Sequence, residues 1–512
     1  MILNSFIGIL AAVAVSFASL RQAADGGVRE ITEDWVLEGR IISEPANPNL
    51  DLVVQRDFRT TSHTQNNRTA YIQDLDGSLG FKLVFQHLDP EALKLLRYSR
   101  VKIALKGSRL SVNGPCYSLE DIPNDAVLEV EPGSPEDIPV KIRKVREILP
   151  EDMYTWIRVK DCEFAFKGGS YCNILESYST TSPDNPSLGG NGYMGSWQTL
   201  LCDSDASPFY VMINARVPWR RPRAGAPDGR GDVEGICVQS YIPRYGKVFV
   251  PQIRPMGVDD FHIARDGGSA FKTICEWNWN DNRENFRTDK GEMPMIHTEK
   301  ILPDIGEGRL YVDFPASVYR GRDCDNPLRE DPKHKDKGLN GQVTWGSMQL
   351  RTMAKNWWNW NDDCGNSVVV KFSTEGLSGE RLLLAFTFAA GDNSANNTRM
   401  CPARWGVEVS TDDVNIARVE VPDITLRGFP WFNRSLDGVQ YYTSFECGMG
   451  LTEHIVVLPS SLFGQKEVYV RISPSAKNAI TLGESLSDNG ALRPNVDIWT
   501  SVEFGTIAIR YK

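Results

Sequence analysis

The chain has 512 residues, 41% hydrophobic and 24% charged, a composition that excludes wholesale disorder and, at that length, a single hydrophobic core. Its formal net charge of -10 makes the whole molecule repel phosphate backbones and disfavours a dedicated nucleic-acid binder. Ten cysteines lie scattered without a C-x-x-C pair, which argues against zinc ribbons, iron-sulfur clusters and thioredoxin-like redox chemistry. At that density disulfides and free buried thiols are equally consistent, so the pairing stays open.

Phe6 to Ala18 is an unbroken run of apolar and small residues with the length of a secretory h-region, and Ser16-Phe17-Ala18 supplies a small-x-small cleavage pattern. Residues 1–24 therefore read as a signal peptide, although no Lys or Arg precedes the run and no cysteine follows it to accept a lipid. A buried or frayed amino-terminal helix is the competing reading. The run is short of the about 20 apolar residues a membrane span takes, and no later segment qualifies. The mature protein is expected to be soluble and exported: secreted, periplasmic or on the outer cell surface.

Residues 30–140 form the first expected domain. Phe81, Leu83 and Phe85 alternate with Lys82 and Val84, and Val101, Ile103 and Leu105 with Lys102 and Ala104, the two-residue period of half-buried strands, with a turn signal at Asp76-Gly77. Between them Asp89 as N-cap, Pro90 at the first helical position and good formers to Leu96 predict one short helix. Strands, one helix, then strands is the order of an OB-like barrel, with Pro132 to Pro135 at its exit. Residues 141–265 repeat the style at Trp156–Val159, Thr199–Cys202 and Phe209–Ile213, with a hairpin signal at Arg244-Tyr245-Gly246 and a Ser/Pro/Asn/Gly-rich surface insertion over 179–195. Residues 270–512 are strand-rich to the end, at Val368–Phe372, Leu382–Phe388, Val407 and Val409, Val468 to Ile472, and Ile507 to Tyr511, this last strand closing its sheet. The expected fold is all-β: two OB-like barrels followed by a jelly-roll-like β-sandwich.

Ala70-Tyr71-Ile72-Gln73-Asp74-Leu75-Asp76-Gly77-Ser78, Tyr241-Ile242-Pro243-Arg244-Tyr245-Gly246 and Pro251-Gln252-Ile253-Arg254-Pro255 make the first half resemble an uncharacterised OB-like domain of surface proteins from Bacteroides-type bacteria. Trp405-Gly406-Val407-Glu408-Val409-Ser410-Thr411-Asp412 is similar to a motif in jelly-roll modules of the same proteins. The resemblance implies export, surface display and a binding or scaffolding role near glycan-processing systems; the lipobox cysteine that many such proteins carry is missing from this sequence.

The strongest local chemistry is aromatic. Trp357-Trp358-Asn359-Trp360 is echoed by Trp277-Asn278-Trp279, and Trp431 and Phe432 follow Pro430. Indole faces stack on the C–H faces of sugar rings while neighbouring Asn and Asp bond hydroxyls, so Trp277, Trp279, Trp357, Trp358, Trp360, Trp431 and Phe432 are the candidate glycan-binding residues; burial in the core is the competing fate of any Trp. Asn361, Asp362 and Asp363 offer hard oxygens for a structural calcium ion; no other cofactor is required, and a solvated turn is the plainer reading. Arg216, Arg220, Arg221, Arg223 and Arg230 form a basic cluster that suits a solvated hairpin tip better than nucleic acid. Arg230-Gly231-Asp232 spells an adhesion tripeptide of chance length, Gly190-x-Gly192-x-x-Gly195 lacks the strand-to-helix setting of a dinucleotide loop, and His297 with Glu299 has no companion metal motif. No residue set compels an enzyme. A non-catalytic surface protein that binds polysaccharide or cell-surface glycan is favoured, with protein partners at the surface admitted; the alternatives are a scaffold or assembly subunit, and a glycosidase using two carboxylates from distant strands.

Overall fold

The computed structural model describes residues 13–24, 27–45, 47, 49–50, 68–86, 93–167, 171, 196–214, 217–220, 226–239, 251–265, 267–278, 301–312, 317–320, 348–351, 367–390, 404–425, 434–436, 439–441, 452–475 and 501–512. The chain is all-β as expected, in three units.

The first unit runs through β1 (Val13–Val15), α1 (Phe17–Ala23), β2 (Arg29–Glu30), β3 (Trp35–Ile41), β4 (Thr69–Gln73), β5 (Gly80–Phe85), β6 (Arg100–Ala104), β7 (Arg109–Asn113), β8 (Cys116–Ile122) and β9 (Val127–Glu131). Antiparallel pairs β3–β4, β4–β5, β7–β8 and β3–β6, with the parallel pair β5–β8, close a ring once β6 and β7, joined by the turn at residues 105–108, are counted as one strand position. Counted that way, the order around the ring is first, second, third, fifth, fourth, the five-stranded Greek-key barrel of the OB fold. Alternation sends Leu37, Ile72, Phe81, Leu83, Ile103 and Leu119 into one core.

In the structure residues 13–24 pack against this barrel, the buried amino-terminal helix that competes with the signal-peptide reading. The Ser16 hydroxyl caps α1 by accepting the Ser19 N–H at 3.0 Å, and Phe17, Leu20 and Ala24 are buried in the barrel core. The Phe17 ring lies 5.5 Å from that of Phe81, Arg21 stacks over Tyr117 at 4.7 Å, and β1 pairs in parallel with β3. A helix that plugs a barrel and an h-region are both short apolar runs, so composition alone fits either. Residues 1–12 lie outside the described residues. The helix expected from Asp89 to Leu96 fails over residues 93–96, which form turns, with Lys94 at a φ of 58° that no α-helix accommodates; residues 89–92 lie outside the described residues.

The second unit comprises β10 (Lys141–Arg143), β11 (Trp156–Phe164), β12 (Ser196–Asp203), β13 (Pro208–Asn214), β14 (Gly231–Gln239), β15 (Pro251–Arg254) and β16 (Phe261–Ile263). Antiparallel pairs β11–β12, β12–β13, β14–β15 and β11–β14 and the parallel pair β13–β15 close the same ring order. The hairpin signal at Arg244-Tyr245-Gly246 lies outside the described residues, as does the insertion over 179–195, but β14 and β15 on either side of 240–250 do pair antiparallel.

Asp152 braces the entry to barrel 2. Its buried carboxylate accepts from Lys141 Nζ at 3.0 Å, from Arg143 Nε at 2.9 Å and from the Leu149 N–H at 3.0 Å. Burial raises this carboxyl, yet Arg143, the Leu149 N–H and Lys141 together outweigh it and hold it below the ordinary value of 3.8. The contribution to stability is therefore complete above that value and lost as pH falls below it. Asp152→Ala is expected to cost about 3 kcal/mol at neutral pH by stranding two cations, read as a lowered urea midpoint, with the gap from wild type narrowing in acid.

The barrels meet over a mixed seam. Gln73 Oε1 accepts the Trp156 N–H at 2.8 Å, and Asn49 Nδ2 donates to Pro255 O at 2.6 Å and Met212 O at 3.0 Å. Arg97 lies 4.0 Å over the Trp156 ring and 3.3 Å from Asp260, while Trp156 Nε1 donates to Glu234 at 3.0 Å. The backbones approach so closely at Gly80 that a Cβ there would stand 1.9 Å from the Tyr154 carbonyl oxygen.

The third unit contains β17 (Lys272–Trp277), β18 (Ile305–Gly306), β19 (Arg309–Val312), β20 (Ser317–Arg320), β21 (Met348–Arg351), β22 (Val368–Phe372), β23 (Leu382–Ala390), β24 (Arg404–Ser410), β25 (Ala417–Thr425), β26 (Arg434–Leu436), β27 (Val439–Tyr441), β28 (Thr452–Leu458), β29 (Val468–Pro474) and β30 (Ser501–Tyr511). One sheet of the sandwich is β19-β22-β29-β24-β25. In the other, β30 is central and not the closing strand: β21 pairs along Ser501–Phe504 and β17 along Ile507–Tyr511 on one flank, β23 on the other, and β28 lies beyond β23. The two inner faces interdigitate, with Phe388 and Trp405 from opposite sheets 5.4 Å apart. The outer face of the β30 sheet is also buried, because barrel 2 packs Leu200, Phe166 and Cys202 onto Ala385, Ala508 and Leu383. Burial on both faces explains why β23 reads Leu-Leu-Leu-Ala-Phe-Thr-Phe-Ala-Ala with almost no polar alternation.

Candidate functional site

Strand direction brings the candidate binding segments to one end of the sandwich. β17 and β21 run antiparallel to β30, and the registers Trp277 to Ile507 and Arg351 to Ser501 put their carboxyl ends toward its start. Ala390 of β23 pairs with Val502, and Thr452 of β28 with Phe388, at the same end. In the facing sheet, Thr425 of β25 pairs with Arg404, and Trp405 of β24 with Pro474. The contact of Phe388 and Phe504 with Trp405 aligns the two sheets there. The segments that follow β17, β21 and β25, which hold Trp279, Trp357 to Asp363, and Trp431 with Phe432, thus all leave from this one end.

The described floor of that end is aromatic. Phe388, Trp405 and Phe504 lie within 5.4 to 6.1 Å of one another, and the His454 ring stacks on Phe386 at 5.2 Å. At the opposite end, the β22–β23, β24–β25 and β28–β29 connections are short and bonded internally: Thr374 N–H donates to Gln465 O at 2.9 Å, and Asp412 Oδ1 accepts the Val414 and Asn415 N–H groups at 3.0 and 2.8 Å. The longer connection over 321–347 leaves β20 and enters β21 at their ends pointing away from Ser501, so it does not join the aromatic segments.

Of the candidate residues, Trp277 is described, and it corrects the expectation. It is fully buried in the sandwich core, its Nε1 donating to Ile301 O at 3.3 Å, so neither indole face meets a ligand. The strand itself held the signal, since Cys275 and Trp277 alternate with Glu276 and both point inward. Trp279, Trp357, Trp358, Trp360, Trp431 and Phe432, with Asn361, Asp362 and Asp363, lie outside the described residues, as do His297 and Glu299 and Gly190 to Gly195. Among the described residues no group of three His, Cys, Asp or Glu side chains is placed to hold a metal ion.

Of the basic cluster, only the Arg230 side chain is among the described residues. Arg230 pairs with Asp161 and opens into β14, whose Asp232 accepts the Asp161 N–H at 3.1 Å, so the Arg-Gly-Asp tripeptide is strand backbone; Arg216, Arg221 and Arg223 lie outside the described residues. OB barrels take extended ligands on the face of their second and third strands. In barrel 2 these are β12 and β13, whose outward Leu200 and Tyr210 are spent on the sandwich. Barrel 1 likewise turns Tyr71 of its second strand onto barrel 2. Cys162, Cys202, Cys237 and Cys275 are free thiols, and burial pushes all four up, which makes them packing groups and not nucleophiles.

Sequence reasoning missed Glu453. It sits buried on the outer face of β28, its carboxylate accepting the Leu200 N–H of barrel 2 at 2.6 Å. Its signal is a carboxylate in a strand whose residues on that same face, Ile455 and Val457, are aliphatic.

No family model matches the chain, and no curated protein does. Solved structures similar to it include the K3 cleaved adhesin domain of Lys-gingipain from Porphyromonas gingivalis W83, 12% identical over 32% of this chain and 72% of that one, with a TM-score of 0.17. The K1 cleaved adhesin domain of the same protein is 11% identical over 38% and 83%, with a TM-score of 0.19. The N-terminal cellulose-binding domain of β-1,4-glucanase C from Cellulomonas fimi is 11% identical over 34% and 84%, with a TM-score of 0.16. At TM-scores this low the likeness bears on neither ligand nor activity.

Proposed function

We propose that the protein is an exported, cell-surface, non-catalytic binding protein that takes a polysaccharide or cell-surface glycan at the loop-bearing end of its sandwich. The supporting observation is the convergence of strand ends: β17, β21 and β25 launch the segments with Trp279, Trp357, Trp358, Trp360, Trp431 and Phe432 from one end, above an aromatic floor. Indoles gathered there would stack on sugar rings, with Asn359 and Asn361 to bond hydroxyls. Asn361, Asp362 and Asp363 are the oxygen donors we assign to a calcium ion that would order that segment. Surface display rests on the resemblance of the OB-like domains, whose expected barrel topology the chain has.

Affinity electrophoresis of the full chain against host, plant and bacterial polysaccharides tests this, with Trp358→Ala and Trp360→Ala variants and with calcium or chelator in the gel. Retardation by at least one glycan is expected, weakened about tenfold or more in each variant, a loss of about 1.4 kcal/mol or more. A wild type retarded by no glycan, or variants retarded equally, overturns the reading. A scaffold role gains a specific support of its own, because each barrel spends its second-strand face on docking to the next unit and the three units form one packed series.

A further inference from the structure

Glu453 holds an unusual position at the joint between barrel 2 and the sandwich. Besides the Leu200 N–H, the Tyr210 hydroxyl of barrel 2 donates to the Glu453 backbone carbonyl at 3.2 Å, so one residue ties both β12 and β13 to β28. Its surroundings are Leu200, Ala385, Ala508 and Ile455. Thr387 stands directly opposite Glu453 across the β23–β28 pairing, and its buried hydroxyl has no hydrogen-bond partner; the hydroxyl of Thr506, on the next strand, has none either. Among the described residues, the Leu200 N–H is the one group set against a negative charge on this carboxylate.

The charged groups of the joint are engaged elsewhere. From barrel 2, Glu163 accepts the Ala270 N–H at 3.2 Å and faces Lys167 at 4.0 Å. From the sandwich, Arg510 binds Ala165 O and Glu276, Lys512 donates to Ser204 O at 2.9 Å, and Arg381 to Asp205 O at 3.3 Å. On β28 itself, His454 points to the opposite face, against Phe386. We propose that the joint between barrel 2 and the sandwich is a proton-operated latch, closed while the Glu453 carboxyl is neutral and loosened when it ionises. This goes beyond the glycan reading and does not depend on it.

Burial pushes this carboxyl up from 4.5 to about 8, opposed only by the Leu200 N–H. An undocked carboxyl ionises near 4.5, so closing the joint takes up a proton at any pH between 4.5 and about 8. Closure is accordingly tightest in acid, weakens steadily as pH rises through that window, and is weakest above it. What opens is the β12–β13 face, the surface on which barrels of this topology accept extended ligands.

Hydrogen–deuterium exchange of the full chain at pH 5.5 and pH 8.5, corrected for intrinsic exchange, reads the latch at the Leu200 amide. Protection in the wild type is expected to fall about 100-fold between the two conditions, the scale set by the two ionisation points, and to stay level in Glu453→Gln, whose side-chain oxygen still accepts from Leu200. Wild-type protection that is unchanged with pH overturns the proposal without reference to any variant. So does an equal fall in wild type and Glu453→Gln, which would assign the pH response to another group.

Discussion

A chain started at residue 25 is expected to lose barrel 1 as a folded unit while barrel 2 and the sandwich remain. α1 fills the barrel end with Phe17 and Leu20, both packed into the core that holds Phe81 and Leu83. Removing one such side chain costs about 2–5 kcal/mol, and whole domains have about 5–15 kcal/mol to lose. Taking both at once, with the Arg21 bonds to Gly80 O and Met153 O, consumes most of that margin. Exchange protection across β3 to β9 in the truncated chain reads the outcome. If protection there matches the full chain, α1 is dispensable to the barrel. Mass analysis of protein recovered from cells shows directly whether Val13 to Ala24 are retained as part of the barrel or removed as a leader.

Trp156→Ala is expected to separate the two barrels. The indole is sandwiched between Arg97 of barrel 1 and the outer face of barrel 2, where its Nε1 bonds Glu234, an acceptor shared with Arg158 and with His262 at 3.3 Å. Truncating a buried Trp costs about 3–5 kcal/mol. The loss falls on the junction, so proteolysis should move to the 131–140 connection before either barrel unfolds. Trp156→Phe keeps a ring under Arg97 and gives up the Glu234 bond alone, for about 1 kcal/mol, since Arg158 and His262 still serve that carboxylate. Equal proteolysis rates in Trp156→Ala and wild type would show that the Gln73 and Asn49 bonds hold the junction without it.

The strands of both barrels were legible because their periodicity is local: Phe81, Leu83 and Phe85 announce β5 by themselves. The features that make the units OB barrels were legible only through strand order, since the parallel pairs β5–β8 and β13–β15 join segments tens of residues apart. The role of α1 was not legible, because hydrophobic composition reports that a helix is buried, not whether protein or a translocation channel buries it. Trp277 was misread because its neighbours in sequence drew attention to a cluster, while its alternation with Cys275 already placed it inward. Glu453 left almost no trace, because its burial is created by a barrel whose contacting residue, Leu200, lies 253 positions away. Of the candidate site, the residue types were readable; that their segments depart from one end required the registers of β17, β21, β25 and β30.

The position of β30 has a consequence during synthesis. β17, β21 and β23 share no neighbour other than this strand, which is made more than two hundred residues after β17. Until Ser501 to Tyr511 leaves the ribosome, the three present open hydrogen-bonding edges and barrel 2 has no finished sheet to dock on. The sandwich is therefore assembled late and from distant parts, a slow class of topology in which those edges stay open to pairing with other chains until the last strand arrives.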